Sequence, residues 1–380
     1  MAKRNNKMNP FLVRGFVKDE WFCDREQETK QLLANIQNGR DTTLISPRKY
    51  GKTGLIFHLF HQIEQQKLPY DTLYIDLFHT RDLQDFIKAL GDTLVRYPEQ
   101  TSFSERIMKF LRQLRPTFSF DQLTGEPQIS FNYQQESDKA TTLQHILEFL
   151  NNQPQQIVIA LDEFQQVATY PEHMEALLRG TIQNLHNLRF IFSGSRQTLM
   201  TEMFLSPKRP FFSQTSTLTI DKIPEDKYAP FIRLLFENDG IKCNDDALNQ
   251  ILYWTQRHTF YTQSLCNYIY SLSPETVDLD IVNHACARLL DLNETAYMQY
   301  RELLTNIQWQ MLVAVAKEGE IMQINSSTFL HKYGISGTTT ARRTIQTLVD
   351  KELILALPTK KQTKYQIYDV FFMHWLAREY

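Results

Sequence analysis

The chain has 380 residues, 42% of them hydrophobic and 12% aromatic, enough apolar mass for sizeable cores and a length that suits two or three domains. Twelve glycines and 14 prolines exclude a collagenous or Gly/Pro-rich disordered chain. Forty-one Lys plus Arg against 43 Asp plus Glu leave a formal charge of −2, so no global basic field recruits nucleic acid. Cys23, Cys243, Cys266 and Cys286 lie far apart without CxxC or close Cys/His spacing, which points to a reducing compartment. Residues 1–8 are polar and lead into no apolar signal core, and no stretch approaches the ~20 apolar residues that span a bilayer. A soluble cytoplasmic protein is therefore expected.

In chain order, Asp24-Arg25-Glu26 reads as a helix start, with Asp24 as N-cap, Gln27 three residues on and Glu26 in the first turn. Thr42–Ser46 predicts a strand and Gly54–Gln66 the helix after it. Leu73–Leu77, Ile157–Leu161 and Leu188–Ser193 predict three further strands, with a helical pattern at Leu83–Arg96. Uniformly apolar strands separated by helices imply an α/β domain with a parallel sheet covered on both faces. Thr117–Phe120 and Ile129–Tyr133 alternate around Leu123–Pro127, a β-hairpin inserted in that domain.

After Ile220 the strands are expected to stop until the last hundred residues. Asp226–Glu237, Asp245–Thr255 and Phe260–Ser271 read as amphipathic helices of a small all-α unit. Helical patterns at Ile307–Lys317, Ser326–Lys332 and Thr338–Lys351 precede two strands, Leu353–Leu357 and Lys364–Tyr368, joined by a lysine-rich turn. That order predicts a winged helix-turn-helix. The aromatic run Tyr365–Leu376 is expected to pack onto it. The divisions that follow are residues 1–219, 220–292 and 293–380.

The most informative residues are Ser46-Pro47-Arg48-Lys49-Tyr50-Gly51-Lys52-Thr53. They fit the second half of the phosphate-loop pattern G-x-x-x-x-G-K-[ST], between a strand and a helix as its mechanism requires. Gly51 lets the backbone approach phosphate, Lys52 reaches the β/γ oxygens, Thr53 can ligate Mg²⁺, and the amides from Lys49 to Gly54 close on the anion at a helix N-terminus. Ser46 stands where the pattern has its first glycine, and fits if its φ is negative. Ile157–Leu161 runs into Asp162-Glu163, placing Asp162 to hold Mg²⁺ with Thr53 and Glu163 to polarise an attacking water. The two strand tips are expected to be neighbours. Ser195, after the next apolar strand, is placed to sense the γ-phosphate or orient the water. His58 and His61 sit i, i+3 on one helix with no carboxylate, Cys or third His to complete a metal site, and read as a packed or surface pair.

With these motifs in hand, the chain resembles the archaeal-type ATPases of the STAND group among the AAA+ relatives, which also occur in bacteria such as the Bacteroidetes. Asn9-Pro-Phe11 followed by Phe22–Glu28 is similar to that family's N-terminal Asp/Gly-Arg-Glu box. Pro47–Thr53 resembles its loop, Leu161–Phe164 and Ser193–Ser195 its acidic and sensor strand ends, and His258–Gln263 a Gly-His-Pro-Tyr-Tyr segment of its lid. Ser46, Arg257 and Thr259 depart from the pattern. The resemblance implies a P-loop NTPase (AAA+/STAND-like) parallel-sheet core, a helical lid and a winged helix, with Arg25 near adenine and ribose and ATP or ADP with Mg²⁺ as cofactors. Arg209, in a basic loop after the sensor strand, is a candidate finger toward the γ-phosphate.

Between Ser336 and Lys364, Arg342, Arg343, Lys351, Lys360, Lys361 and Lys364 outnumber Asp350 and Glu352. A protein partner or DNA is expected to meet the winged helix at Arg342, Arg343, Lys360 and Lys361. The leading reading is a slow Mg²⁺-dependent ATPase acting as a molecular switch. The alternative is a DNA-binding regulator that holds nucleotide without hydrolysing it. An Asn-Lys-x-Asp guanine motif and a dedicated kinase acceptor lid are both absent from the sequence.

Overall fold

The computed structural model describes residues 8–97, 102–114, 116–133, 135–171, 173–359 and 362–380, and the chain divides into two compact units. The first, Gly15–Lys222, runs α1 (Glu26–Gln37), β1 (Thr42–Ile45), α2 (Lys52–Gln65), β2 (Tyr70–Asp76), α3 (Leu83–Val95), α4 (Ser102–Gln113), β3 (Thr117–Phe120), β4 (Pro127–Ser130), α5 (Glu136–Asn151), β5 (Gln156–Asp162), α6 (Met174–Ile182), β6 (Leu188–Gly194), α7 (Gln197–Leu205) and β7 (Ser216–Thr219). Five of its strands form a parallel sheet in the order β2-β5-β6-β1-β7. The expected strands are present, β7 was not foreseen, and β6 lies between β1 and β5. The two strand tips of the phosphate loop and the acidic pair are therefore one strand apart, a correction to the expected adjacency.

Alternation along each strand explains how a sheet with almost no polar face is used. Ile157, Ile159 and Leu161 of β5 and Phe190 and Phe192 of β6 join the core on one face, with α3 and α5. Val158 and Ala160 of β5 and Ile191 of β6 turn to the other, where Leu55, Ile56, Leu59 and Ile63 of α2 pack. Tyr74 of β2 packs against this second core, on the α2 side of the sheet. The hairpin forms, but its second strand is Pro127–Ser130 and not Ile129–Tyr133: Phe120 pairs with Pro127, so the proline stands in a strand and the turn closes before it. Asp24 is not the N-cap of α1: Arg25 holds that position in the left-handed region at φ 76°, with no side-chain cap. Asp24 itself lies at φ 59°.

The second unit comprises residues 8–14 and Ile223–Tyr380. It runs α8 (Glu225–Glu237), β8 (Lys242–Cys243), α9 (Asp245–Trp254), α10 (Thr259–Ser271), β9 (Thr276–Val277), α11 (Leu279–Leu303), α12 (Asn306–Glu318), β10 (Glu320–Ile321), α13 (Ser327–Lys332), α14 (Thr338–Asp350), β11 (Ile354–Pro358), β12 (Thr363–Ile367) and α15 (Val370–Glu379). Strands do not stop at Ile220 as expected, since β8 and β9 make a two-residue parallel bridge. The 25-residue α11, whose N-cap Asp278 accepts from the Ile281 amide, was also unforeseen.

The winged helix has the expected helices, and its sheet has three strands, because β10 pairs with β12. Thr305 and Gln308 form a capping box on α12, and Ser326 caps α13. The aromatic tail is α15, whose Trp375 is fully buried. Within this unit Phe371 and His374 of α15 pack on Trp254, the latter stacked at 4.5 Å, and Phe371 also meets Tyr261 of the His258–Gln263 segment. The lid-like helices and the winged helix are thereby joined by one aromatic seam. Phe11 is completely buried against Phe236 and Tyr270, and the Asn9 and Asn267 side chains donate to each other's segments. Among the described residues, no helix is long and apolar enough to cross a membrane. All four cysteines are buried and free.

Candidate functional site

The loop after β1 is shaped by two residues in the left-handed region, Lys49 at φ 65° and Gly51 at φ 95°, which curl the backbone toward the start of α2. Ser46 stays out of that region, as a serine at this position must. Gly51 is the N-cap and Lys52 the first helical residue, so the opening N–H groups of α2 have no partner inside the helix and face an anion-favouring dipole. Lys52 is only 5% exposed, and its ammonium donates to the Ser46 and Pro47 carbonyls, each at 3.0 Å. Burial pushes its pKa down to about 8, against the pull of Asp162 and Glu163, with Arg48 adding to the fall. A buried ammonium whose hydrogen bonds among the described residues go to neutral carbonyls suits a phosphate ligand.

One residue further along α2, the Thr53 hydroxyl donates to Asp162 Oδ2 at 2.7 Å, bridging the loop and the tip of β5 across β6. The Tyr74 hydroxyl donates to the same oxygen at 2.9 Å, and the Glu163 amide donates to Oδ1 at 3.0 Å. Glu163 sits in the left-handed region at φ 54°. Its Oε2 accepts from Ser195 Oγ at 2.8 Å and from the Gln165 side-chain amide. Gln165 is buried, and the absence of a Cβ at Gly194 is what admits it: that atom would lie 2.5 Å from both Gln165 Oε1 and Met200 Sδ.

The oxygen donors Thr53 and Asp162 fit Mg²⁺, which uses one or two carboxylates and completes its shell with water and phosphate. Among the described residues no three His, Cys, Asp or Glu side chains are arranged to hold a metal by themselves.

The structure therefore brings Lys52, Thr53, Asp162, Glu163 and Ser195 together. Pro47 is buried and Gly54 lies in the first turn of α2, with room for Phe22 against it. Arg48 lies 5.6 Å over the Phe78 ring and Lys49 is exposed. The Tyr50 side chain is buried in the α2-side core, so that residue contributes to the loop through its backbone. Arg25 is buried, donating to Glu28 at 2.8 Å and to the Asp221 carbonyl at 2.6 Å. Arg209 is held by Glu175 and Glu202, neither of which belongs to the cluster.

His58 and His61 do have a carboxylate beside them, contrary to expectation: Asp19, 2.9 Å from His58 Nδ1 and 3.8 Å from His61 Nε2. Tyr74 and Gln165 are the residues that sequence reasoning missed. Neither carries a motif, and each reaches the site through a strand register or a turn that composition does not encode. In the winged helix, Ala341, Thr344, Ile345 and Leu348 bury one side of α14, while Arg342 and Arg343 are exposed without described partners. Lys360 and Lys361 lie outside the described residues.

No curated protein matches the sequence. Among the solved structures that share the fold, two illustrate it over nearly their whole length. The Walker-type ATPase PABY2304 of Pyrococcus abyssi matches with a TM-score of 0.67 at 18% identity, over 97% of this chain and 99% of that one. The ORC2 protein of Aeropyrum pernix, in its ADPNP–ADP complexes, matches with a TM-score of 0.58 at 14% identity, over 98% and 97%. A winged helix family model matches residues 295–378. A model described as an ATPase domain predominantly from Archaea matches residues 22–259, which holds every member of the loop-and-acid cluster, and the chain belongs to that family.

Proposed function

We propose that the chain binds ATP with Mg²⁺ and hydrolyses it slowly, as a nucleotide-driven switch coupled to its winged helix. The observation that carries this reading is the 2.7 Å hydrogen bond from Thr53 to Asp162, which unites the phosphate loop with the acidic strand tip. Lys52 and the first amides of α2 neutralise and orient the phosphates. Thr53 and Asp162 would hold Mg²⁺, which supplies charge neutralisation at the β- and γ-oxygens. Glu163 orients the attacking water and takes its proton, with Ser195 fixing the carboxylate.

Slow turnover follows from the resting geometry. Glu163 already accepts hydrogen bonds from Ser195 and Gln165, and loosening one such charged bond costs about 1.5–3 kcal/mol. Arg209, tied to two carboxylates of its own, takes no part in the step.

The wild-type chain is expected to release phosphate from ATP in Mg²⁺ and to stop in EDTA, as read by a phosphate-release assay. ATP binding without turnover would favour the non-hydrolysing regulator instead, and no binding would overturn both. The exposed Arg342 and Arg343, whose side chains have no partner among the described residues, support DNA as a partner of the winged helix. Changing both to alanine is expected to weaken duplex DNA binding about equally across sequences and to lower the slope of log affinity against log salt by about two. Fluorescence anisotropy over a salt series measures this, and unchanged binding would point to a protein partner.

A further inference from the structure

We propose that Tyr74 is a positioning residue for the metal-binding carboxylate, its hydroxyl fixing Asp162 Oδ2 from outside the Thr53–Asp162 pair. The inference rests on reading the site as one for Mg²⁺-ATP, and it adds a residue on a strand that the phosphate-loop and acidic motifs do not include.

Three observations converge on it. Tyr74 pairs in register with Ala160, two residues before Asp162, and packs on the α2 side of the sheet, with Thr53 in the first turn of that helix. Its hydroxyl donates to Asp162 Oδ2 at 2.9 Å, the same oxygen that accepts from Thr53 at 2.7 Å, so one carboxylate oxygen joins the two hydroxyls. Its ring is held against Phe57, with centroids 4.7 Å apart, and its carbonyl accepts from Thr93. The hydroxyl is thus delivered to a fixed point.

The consequence concerns what happens to Asp162 when a cation arrives. Oδ2 has two side-chain donors in the structure, Thr53 and Tyr74, while Oδ1 has the Glu163 amide. A threonine hydroxyl can keep its proton on the carboxylate and offer a lone pair to a metal, so Thr53 fits as a ligand that stays bonded to Asp162. With Thr53 and Asp162 as the ligand pair, Tyr74 is the described side chain that holds Oδ2 from outside that pair. A ligand carboxylate held by an outer hydrogen bond keeps the orientation that its metal needs. A phenylalanine would keep the packing on Phe57 and lose only this function.

A mere cross-link between β2 and β5 would matter equally with and without metal, whereas a positioning role matters only with it. The test uses the full chain and a fluorescent ATP analogue, titrated in EDTA and over a Mg²⁺ series. For Tyr74→Phe, affinity in EDTA should stay within about twofold of wild type, while the Mg²⁺ concentration that half-maximally tightens binding should rise about tenfold. Asp162→Asn should abolish that tightening, and adding Tyr74→Phe to it should change nothing further. An unchanged Mg²⁺ midpoint, equal weakening in EDTA and Mg²⁺, additive effects in the double variant, or a Tyr74→Phe chain that does not fold would each overturn the assignment. Wild-type binding indifferent to Mg²⁺ would instead overturn the reading of the site, and this assignment with it.

Discussion

Replacing Lys52 with alanine should weaken ATP binding about a hundredfold or more, because a charged hydrogen-bond donor to phosphate contributes about 1.5–3 kcal/mol per bond and Lys52 has reach for more than one. The fold should survive. Burial lowers this ammonium from 10.5 to about 8 in the folded chain, so charging it opposes folding. For a base shifted in that direction, the cost is absent above pH 10.5, grows as pH falls from 10.5 to about 8 and is level below that, at about 3 kcal/mol at pH 7. Lys52→Met, which fills the same space without the charge, is therefore expected to melt no lower than wild type at pH 7 while binding no ATP. A bound triphosphate favours the protonated amine, so wild-type affinity should fall by about tenfold per pH unit above about 8, with uptake of up to one proton on binding. Calorimetry in two buffers of different ionisation enthalpy measures that proton. Full affinity of Lys52→Ala for ATP would remove the phosphate site from consideration.

Glu163→Gln should separate binding from chemistry. The exchange keeps size and lets Ser195 continue to donate to a side-chain oxygen, at the distance it now keeps from Oε2, 2.8 Å. It removes the only property that a general base needs, the capacity to take a proton, a loss of about 10²–10⁴ in turnover. ATP affinity should change little, since the phosphates are held from the α2 side by Lys52 and the helix amides. Single-turnover phosphate release, set beside nucleotide binding, is the decisive pair of measurements. Turnover equal to wild type would mean that another group activates the water.

Much of this site was legible because its chemistry is written in adjacent letters. Gly51-Lys52-Thr53 and Asp162-Glu163 each follow a strand so apolar that its assignment hardly depends on context, and parallel pairing carries both tips to the same edge of the sheet. What was hidden depends on partners far away in the chain. Tyr74 matters because β2 pairs with β5 in a register that no local pattern specifies. Gln165 matters because Gly194, on another strand, leaves it space. The edge strand Ser216–Thr219 is short and mostly polar, so it gave no apolar run to find. The start of α1 was misread because a left-handed Arg25, rather than a side-chain cap, makes the turn. The helix Leu279–Leu303 escaped notice since exposed Leu292 and Leu303 blur its apolar stripe.

Phe11 and Phe236, in contact within one unit, flank the entire sheet unit in the chain. On the ribosome, the segment bearing Phe11 emerges before the sheet unit and must wait for Phe236 while β1 through β7 are made. The sheet unit, continuous in sequence and with its own cores, has all it needs to fold during that interval. The helical unit closes only when later synthesis delivers Phe236 and Tyr270 to that waiting segment, so the order of translation favours a finished nucleotide-binding half before its helical companion exists.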